Sequence, residues 1–140
     1  MKFKFLENIA TADVAFEAYG KTLEEAFSNA ALAMFEVQTD IEKVKPSISK
    51  DIKIESENKE SLLFDWLSEL IYLRDIENMF FSKFEIKIEK NDKFKLTGKI
   101  YGEKIGEKHE LRTEVKGVSY QLMKIEEKPN EFKVRVILDV

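Results

Sequence analysis

Two aspartates, Asp13 and Asp139, carry the clearest chemical signal in this chain. In the run from Asp13 to Tyr19 the even positions 14, 16 and 18 are apolar, and Asp13 shares the odd side with Glu17. In the run from Phe132 to Val140 the even positions are again apolar, and Asp139 is odd. Side chains alternate across a strand, so each aspartate would stand on the face opposite the apolar one. If the first and last strands are neighbours, two side-chain carboxylates and the terminal carboxylate of Val140 converge. Oxygen donors of this kind suit a hard divalent cation. Parity alone would equally describe two solvated aspartates on strand faces. What favours a site is the ending Leu138-Asp139-Val140, an apolar strand that implies a tail held in the sheet, with its carboxylate fixed in space.

The elements that must position these residues are legible as patterns. Leu23, Ala26, Phe27, Ala30, Ala33, Met34 and Val37 recur at helical spacing and predict a helix over 23–37. Thr22 is its expected N-cap, with Glu25 completing a capping box. A second helix is predicted over 59–74, capped by Asn58, with Leu62, Leu63, Trp66, Leu67, Leu70 and Leu73 on its buried face. Strand-like alternation marks 2–6, 13–19, 51–56, 84–89, 94–101, 114–124 and 131–140. The segments 89–93 and 126–130 read as hairpin loops, rich in turn-forming Asn and Pro. Consecutive hairpins imply an antiparallel sheet. The expected fold class is α+β: a single compact domain over residues 1–140, mostly antiparallel sheet with two amphipathic helices packed on it. Residues 39–49 form the longest polar connection, expected to lie over the core through Ile41, Val44 and Ile48.

Composition narrows the function classes. Hydrophobic residues make up 44% of the chain, too many for a disordered protein, yet no apolar run approaches the ~20 residues of a membrane span. Residues 1–7 alternate like a strand and lack the apolar stretch of a signal peptide. The absence of cysteine excludes disulfides, thiolate metal sites and a cysteine nucleophile. A cytoplasmic location is the default expectation. The net charge of −4 argues against extensive contact with nucleic acid, which demands a basic footprint. A cation or a basic protein surface is the more natural complement.

Other catalytic signatures are missing. The single histidine, His109, has no nucleophile elbow or ligand motif near it, and it reads as a solvated residue of the charged turn 103–110. The five glycines are scattered and form no phosphate-binding loop. Gly117 is placed inside an expected strand, where glycine weakens packing unless a bulge or a close approach requires it. Lys116 beside it could reach over a sheet edge or onto an anionic group, although exposed strand lysines are common.

Taken together, Thr11-Ala12-Asp13-Val14, Glu17-Ala18-Tyr19-Gly20, Thr22-Leu23-Glu24-Glu25-Ala26-Phe27, Ala31-Leu32-Ala33-Met34-Phe35, Leu63-Phe64-Asp65-Trp66-Leu67-Ser68-Glu69-Leu70, His109-Glu110-Leu111, Glu114-Val115-Lys116-Gly117-Val118 and Leu138-Asp139-Val140 resemble the archease family over nearly the whole chain. The resemblance implies a protein that is not an enzyme itself. It implies instead an activator of an RtcB-type, GTP-dependent RNA ligase of tRNA splicing, one that promotes ligase guanylylation and multiple turnover. It places a divalent metal on Asp13, Asp139 and the terminal Val140, with calcium first and magnesium or manganese as alternatives, and assigns Lys116 the activating role. Gly117 stands where the family usually has Ala, and Ala10 where it usually has His. Two rival readings remain: a small metal-dependent phosphate-ester hydrolase using the same carboxylates, and a metal-free, chaperone-like binding module.

Overall fold

The computed structural model describes residues 1–7 and 13–140. In chain order the elements are β1 (Phe3–Leu6), β2 (Val14–Gly20), α1 (Leu23–Gln38), a 3₁₀ turn (Ile41–Lys43), β3 (Ile48–Ser56), α2 (Lys59–Glu77), β4 (Met79–Lys90), β5 (Phe94–Lys104), β6 (Gly117–Lys128) and β7 (Glu131–Asp139). They build a four-stranded sheet ordered β1-β2-β7-β6 and a three-stranded sheet ordered β3-β5-β4. Every pairing is antiparallel. The α+β fold expected from the patterns is the one observed.

Both helices begin where their caps dictate. The Thr22 hydroxyl accepts from the Glu25 N–H at 3.1 Å. At the start of α2 the Asn58 side chain accepts from the Ser61 N–H at 2.8 Å, and the Ser61 hydroxyl accepts from the Asn58 N–H at 3.2 Å, a reciprocal capping box. α2 runs three residues past Arg74, to Glu77, and stops where Asn78 turns into the left-handed region with φ of 52°. That conformation is a common helix terminator, and asparagine tolerates it.

The core lies between the helices and the inner sheet faces. Phe16, Phe27, Phe35, Trp66, Leu67 and Leu70 are fully buried in it. The Trp66 indole N–H donates to the Phe27 carbonyl at 3.0 Å, so the largest core side chain leaves no buried donor unpaired. On the four-stranded sheet Phe16 faces Val136 and Ala18 faces Val134 across the β2–β7 register, forming the apolar inner face. The outer face carries Glu17, Lys133, Glu126 and Lys124 in one ion-pair row, with Tyr19 donating to Glu17. Ala15 and Ile137, paired on that outer face, are nonetheless buried.

Two irregularities shape the sheets. In β5, Gly98 has φ of 156°, and a Cβ there would lie 2.1 Å from the Glu85 carbonyl oxygen, so only glycine lets β4 and β5 pair at this point. In β6 the register slips between Ser119 and Lys124, opposite β7 residues 137 and 135, so residues 120–123 form a wide bulge. Leu122 in that bulge has φ of 56°, and its carbonyl accepts from the Arg135 Nε–H at 2.9 Å. Among the described residues no helix is long and apolar enough to cross a membrane.

Candidate metal centre and the Lys116 loop

β7 lies between β2 and β6, and this order decides what surrounds Asp139. Across one side Val14 pairs with Leu138, so carrying the antiparallel register one residue further sets Asp13 alongside Asp139. Across the other side Asp139 pairs with Gly117. The Lys116 N–H donates to the Asp139 carbonyl at 2.8 Å. The last strand therefore neighbours β2, the second strand, with β1 beyond it, and Asp13, Asp139 and Lys116 come to one end of the four-stranded sheet. Asp139 and Lys116 are exposed; Asp13 and Val140 are half-buried, and Val140 packs on the core.

Gly117 now has a physical account. A Cβ built on it would lie 3.6 Å from the Asp139 Oδ2, an ordinary contact, so the residue opens space beside the carboxylate without being forced to be glycine. Among the described residues neither Asp13 nor Asp139 is ion-paired with a lysine or arginine. No group of three or more His, Cys, Asp or Glu side chains converges as a metal site among them either. The side-chain donors at this end are two carboxylates, with Val140 the expected third contributor. All-oxygen donors of this sort fit a hard cation and not a thiophilic one.

Lys116 ends the irregular segment 105–116, whose path is set by helix ends. The last turn of α1 leaves carbonyls without partners inside the helix. Phe35 O accepts from the Thr39 N–H at 2.9 Å; Val37 O accepts from the Thr113 N–H at 3.1 Å, and Gln38 O from the Arg112 N–H at 2.9 Å. Glu36 O accepts from the Arg112 guanidinium at 2.9 Å. That guanidinium also bonds the Glu36 carboxylate, and Glu110 at 2.9 Å. α1 carries no basic residue in its own last turn, so Arg112 supplies the positive charge that its C-terminus favours. Asp13 lines an open hollow of about 400 Å³ together with Glu36, Arg112 and Thr113, which places this cap next to the candidate site.

His109 is not the solvated turn residue expected from its charged neighbours. It is 5% exposed and meets the Phe80 ring edge-on, with centroids 5.6 Å apart. Its Nδ1 accepts from the Gly106 N–H at 2.9 Å, which places the proton of the neutral ring on Nε2, 2.9 Å from Glu103. Burial pushes the Glu103 carboxyl up, but hydrogen bonds from Lys108, the Lys45 N–H and His109 outweigh it and hold the group at about 2. The histidine therefore ties the start of the loop to β5. Residues that the patterns overlooked are Arg112, which grips the end of α1 from within the loop, and Arg74 with Gln38, which hold the loop from the two helices. One signal was available: Arg74 continues the stripe of Leu63, Trp66, Leu67, Leu70 and Ile71, where an apolar residue belongs.

The sequence profile of the archease protein family matches residues 3–140. The chain belongs to that family. It is 50% identical over 139 residues to protein archease of Methanothermobacter thermautotrophicus, covering 99% of this chain and 98% of that protein. It is 49% identical over 122 residues to protein archease of Pyrococcus furiosus, covering 86% of each. Among solved structures, the solution structure of Methanobacterium thermoautotrophicum protein 1598 matches with a TM-score of 0.86 at 49% identity, covering 99% of this chain and 98% of that one. A crystal structure of an archease from Thermotoga maritima, described there as a possible chaperone, matches with a TM-score of 0.64 at 25% identity, covering 94% and 93% of the two chains. Ala10, where the family usually has His, lies outside the described residues.

Proposed function

We propose that this archease activates an RtcB-type, GTP-dependent RNA ligase of tRNA splicing without catalysing ligation itself. The observation that carries the reading is the Lys116 N–H donating to the Asp139 carbonyl at 2.8 Å, which ties an exposed cationic residue to the acidic end of the sheet. A hard divalent cation, calcium first and magnesium or manganese otherwise, would offset the negative charge of Asp13, Asp139 and the Val140 carboxylate when bound. The chain's own residues then do the rest. Asp13 and Asp139 would hold that cation at the adjoining ends of β2 and β7. Lys116 projects from the same edge, where its ammonium can pair with a phosphate or an acidic ligase residue during guanylylation. The net charge of −4 favours a protein or cation partner over broad RNA contact.

The test is formation of the guanylylated ligase from GTP, with and without this protein, with phosphate-ester substrates assayed in parallel. Wild type should raise ligase guanylylation and turnover. Lys116→Ala should lower that stimulation roughly 10–100-fold, the weight of a lost charge-assisted contact, with the circular dichroism spectrum unchanged. Asp13→Ala and Asp139→Ala should also lose stimulation and calcium binding. Full stimulation by both aspartate variants would make those carboxylates ordinary surface residues. Phosphatase activity without any effect on the ligase would replace the activator with a hydrolase.

A further inference from the structure

The peptide unit joining Val115 to Lys116 is gripped from both sides. Its N–H donates to the Asp139 carbonyl at 2.8 Å. Its carbonyl, that of Val115, accepts from the Arg74 Nη1 at 2.8 Å. The same Nη1 donates to the Gln38 Oε1 at 2.6 Å, and Gln38 in turn donates from Nε2 to the Met34 carbonyl at 3.2 Å. Arg74 is 7% exposed and Gln38 is buried. Its Nε and Nη2 both lie against Asp75 Oδ1, at 2.9 and 2.8 Å. Four of the five guanidinium N–H groups are thus directed at partners within the protein, beside a cleft of about 210 Å³.

A buried arginine at this position asks for a reason. Continuing the apolar stripe of α2 with a leucine would cost no desolvation of charge, and replacing buried ion pairs by apolar residues is often neutral or stabilising. What a leucine could not do is aim a hydrogen bond at one carbonyl of an irregular loop. A peptide plane held at its oxygen and at its hydrogen has no freedom to rotate, and the following Cα, that of Lys116, takes its direction from that plane. The clamp also runs from both helices: Gln38 is the last residue of α1 and Arg74 belongs to the last turns of α2. Both helices therefore set the orientation of one lysine and, through its N–H, the backbone of Asp139.

We propose that Arg74, braced by Gln38, is a positioning residue that fixes the Val115–Lys116 peptide and so aims Lys116; the inference rests on the role given above to Lys116. The experiment uses the full-length protein with Arg74→Met, Arg74→Lys, Lys116→Ala and the double variant Arg74→Met/Lys116→Ala. The first readout needs no ligase: amide hydrogen exchange at Lys116, compared with the buried amide of Val136. Arg74→Met should speed exchange at Lys116 at least ~10-fold more than at Val136, and Arg74→Lys, which keeps a donor in place, should restore part of the protection. Equal acceleration at the two sites would reduce Arg74 to general stability and overturn the proposal. The second readout is ligase guanylylation. Stimulation at saturating Arg74→Met should fall toward the Lys116→Ala level, with the concentration for half-effect within ~2-fold of wild type, and the double variant should lose nothing further. Full stimulation by Arg74→Met alongside failure of Lys116→Ala would also overturn it. Full stimulation by Lys116→Ala would instead sink the role of that lysine, and the exchange readout would then decide the clamp alone.

Discussion

At the scale of single residues, the candidate site is a matter of neighbours. Gly117 faces Asp139 across the β6–β7 ladder, and the 3.6 Å left for a Cβ predicts that alanine is accepted. Gly117→Ala should keep calcium affinity within about twofold and stabilise by roughly 0.4–1 kcal/mol through the unfolded chain, as measured by calorimetric titration and thermal denaturation. Gly117→Leu should push the carboxylate aside and weaken the same titration. Glu103 makes a prediction about acid. Its folded pKa of about 2 lies below the ordinary 4.5, so the stability it contributes is present above pH ~5 and is lost as pH falls toward 2. Glu103→Gln should flatten the fall of Tm over that window, and a slope unchanged from wild type would remove Glu103 from the acid response. How legible was this level in the sequence? Strand parity set each of Asp13 and Asp139 opposite the apolar side of its run, but their meeting depended on strand order, which parity does not encode. It could not see His109, whose charged neighbours suggested solvent while Phe80 and Glu103 enclosed the ring. Burial there depends on a turn closing over the side chain, and no periodicity encodes that.

At the scale of elements, capping residues and apolar stripes placed both helices closely, since each cap is a local hydrogen bond written in adjacent residues. Asn58→Ala should cost about 1 kcal/mol by leaving the Ser61 N–H without its acceptor, and thermal denaturation should show Tm falling by about as much as in Thr22→Ala, because the Ser61 hydroxyl keeps its bond to the backbone N–H of residue 58. Strand limits were less readable. β4 begins at Met79, ahead of the alternation from Phe84, because Met79, Phe80 and Phe81 are all buried and show no alternation at all. β6 continues to Lys128 and turns on Pro129-Asn130 alone, and it starts only at Gly117. Residues 114–116, read as strand, lie outside β6: residues 112 and 113 just before them satisfy the end of α1, the Val115 carbonyl turns to the buried Arg74 guanidinium of α2, and only the Lys116 N–H still meets β7, at the Asp139 carbonyl. Arg112→Ala should test this by speeding amide exchange at Thr113 while leaving β7 protected; uniform protection would show that the loop holds without its helix cap.

At the scale of the whole molecule, β7 ties the four-stranded sheet together. β7 fills the centre of the four-stranded sheet, so the segment that ends at Asp139 is also the one that joins β2 to β6. The core behind it is continuous, and Trp66→Ala should cost roughly 3–5 kcal/mol, with denaturant unfolding of both sheets shifting together. Family membership and the antiparallel α+β architecture were within reach of the sequence because motifs from both ends of the chain had to come together to make sense. The hinge of the arrangement, a loop held by two helix termini, was not, since its partners are separated by tens of residues.

The kink in β6 has a consequence of another kind. β6 is the outermost strand on its side of the sheet, and such a strand normally offers its free backbone groups to any passing extended peptide. With residues 120–123 thrown out of register and Leu122 tethered by Arg135, that offer is interrupted midway along the rim. Two copies of the chain cannot zip together through β6 over a useful length, so this rim is a poor template for adding a further strand.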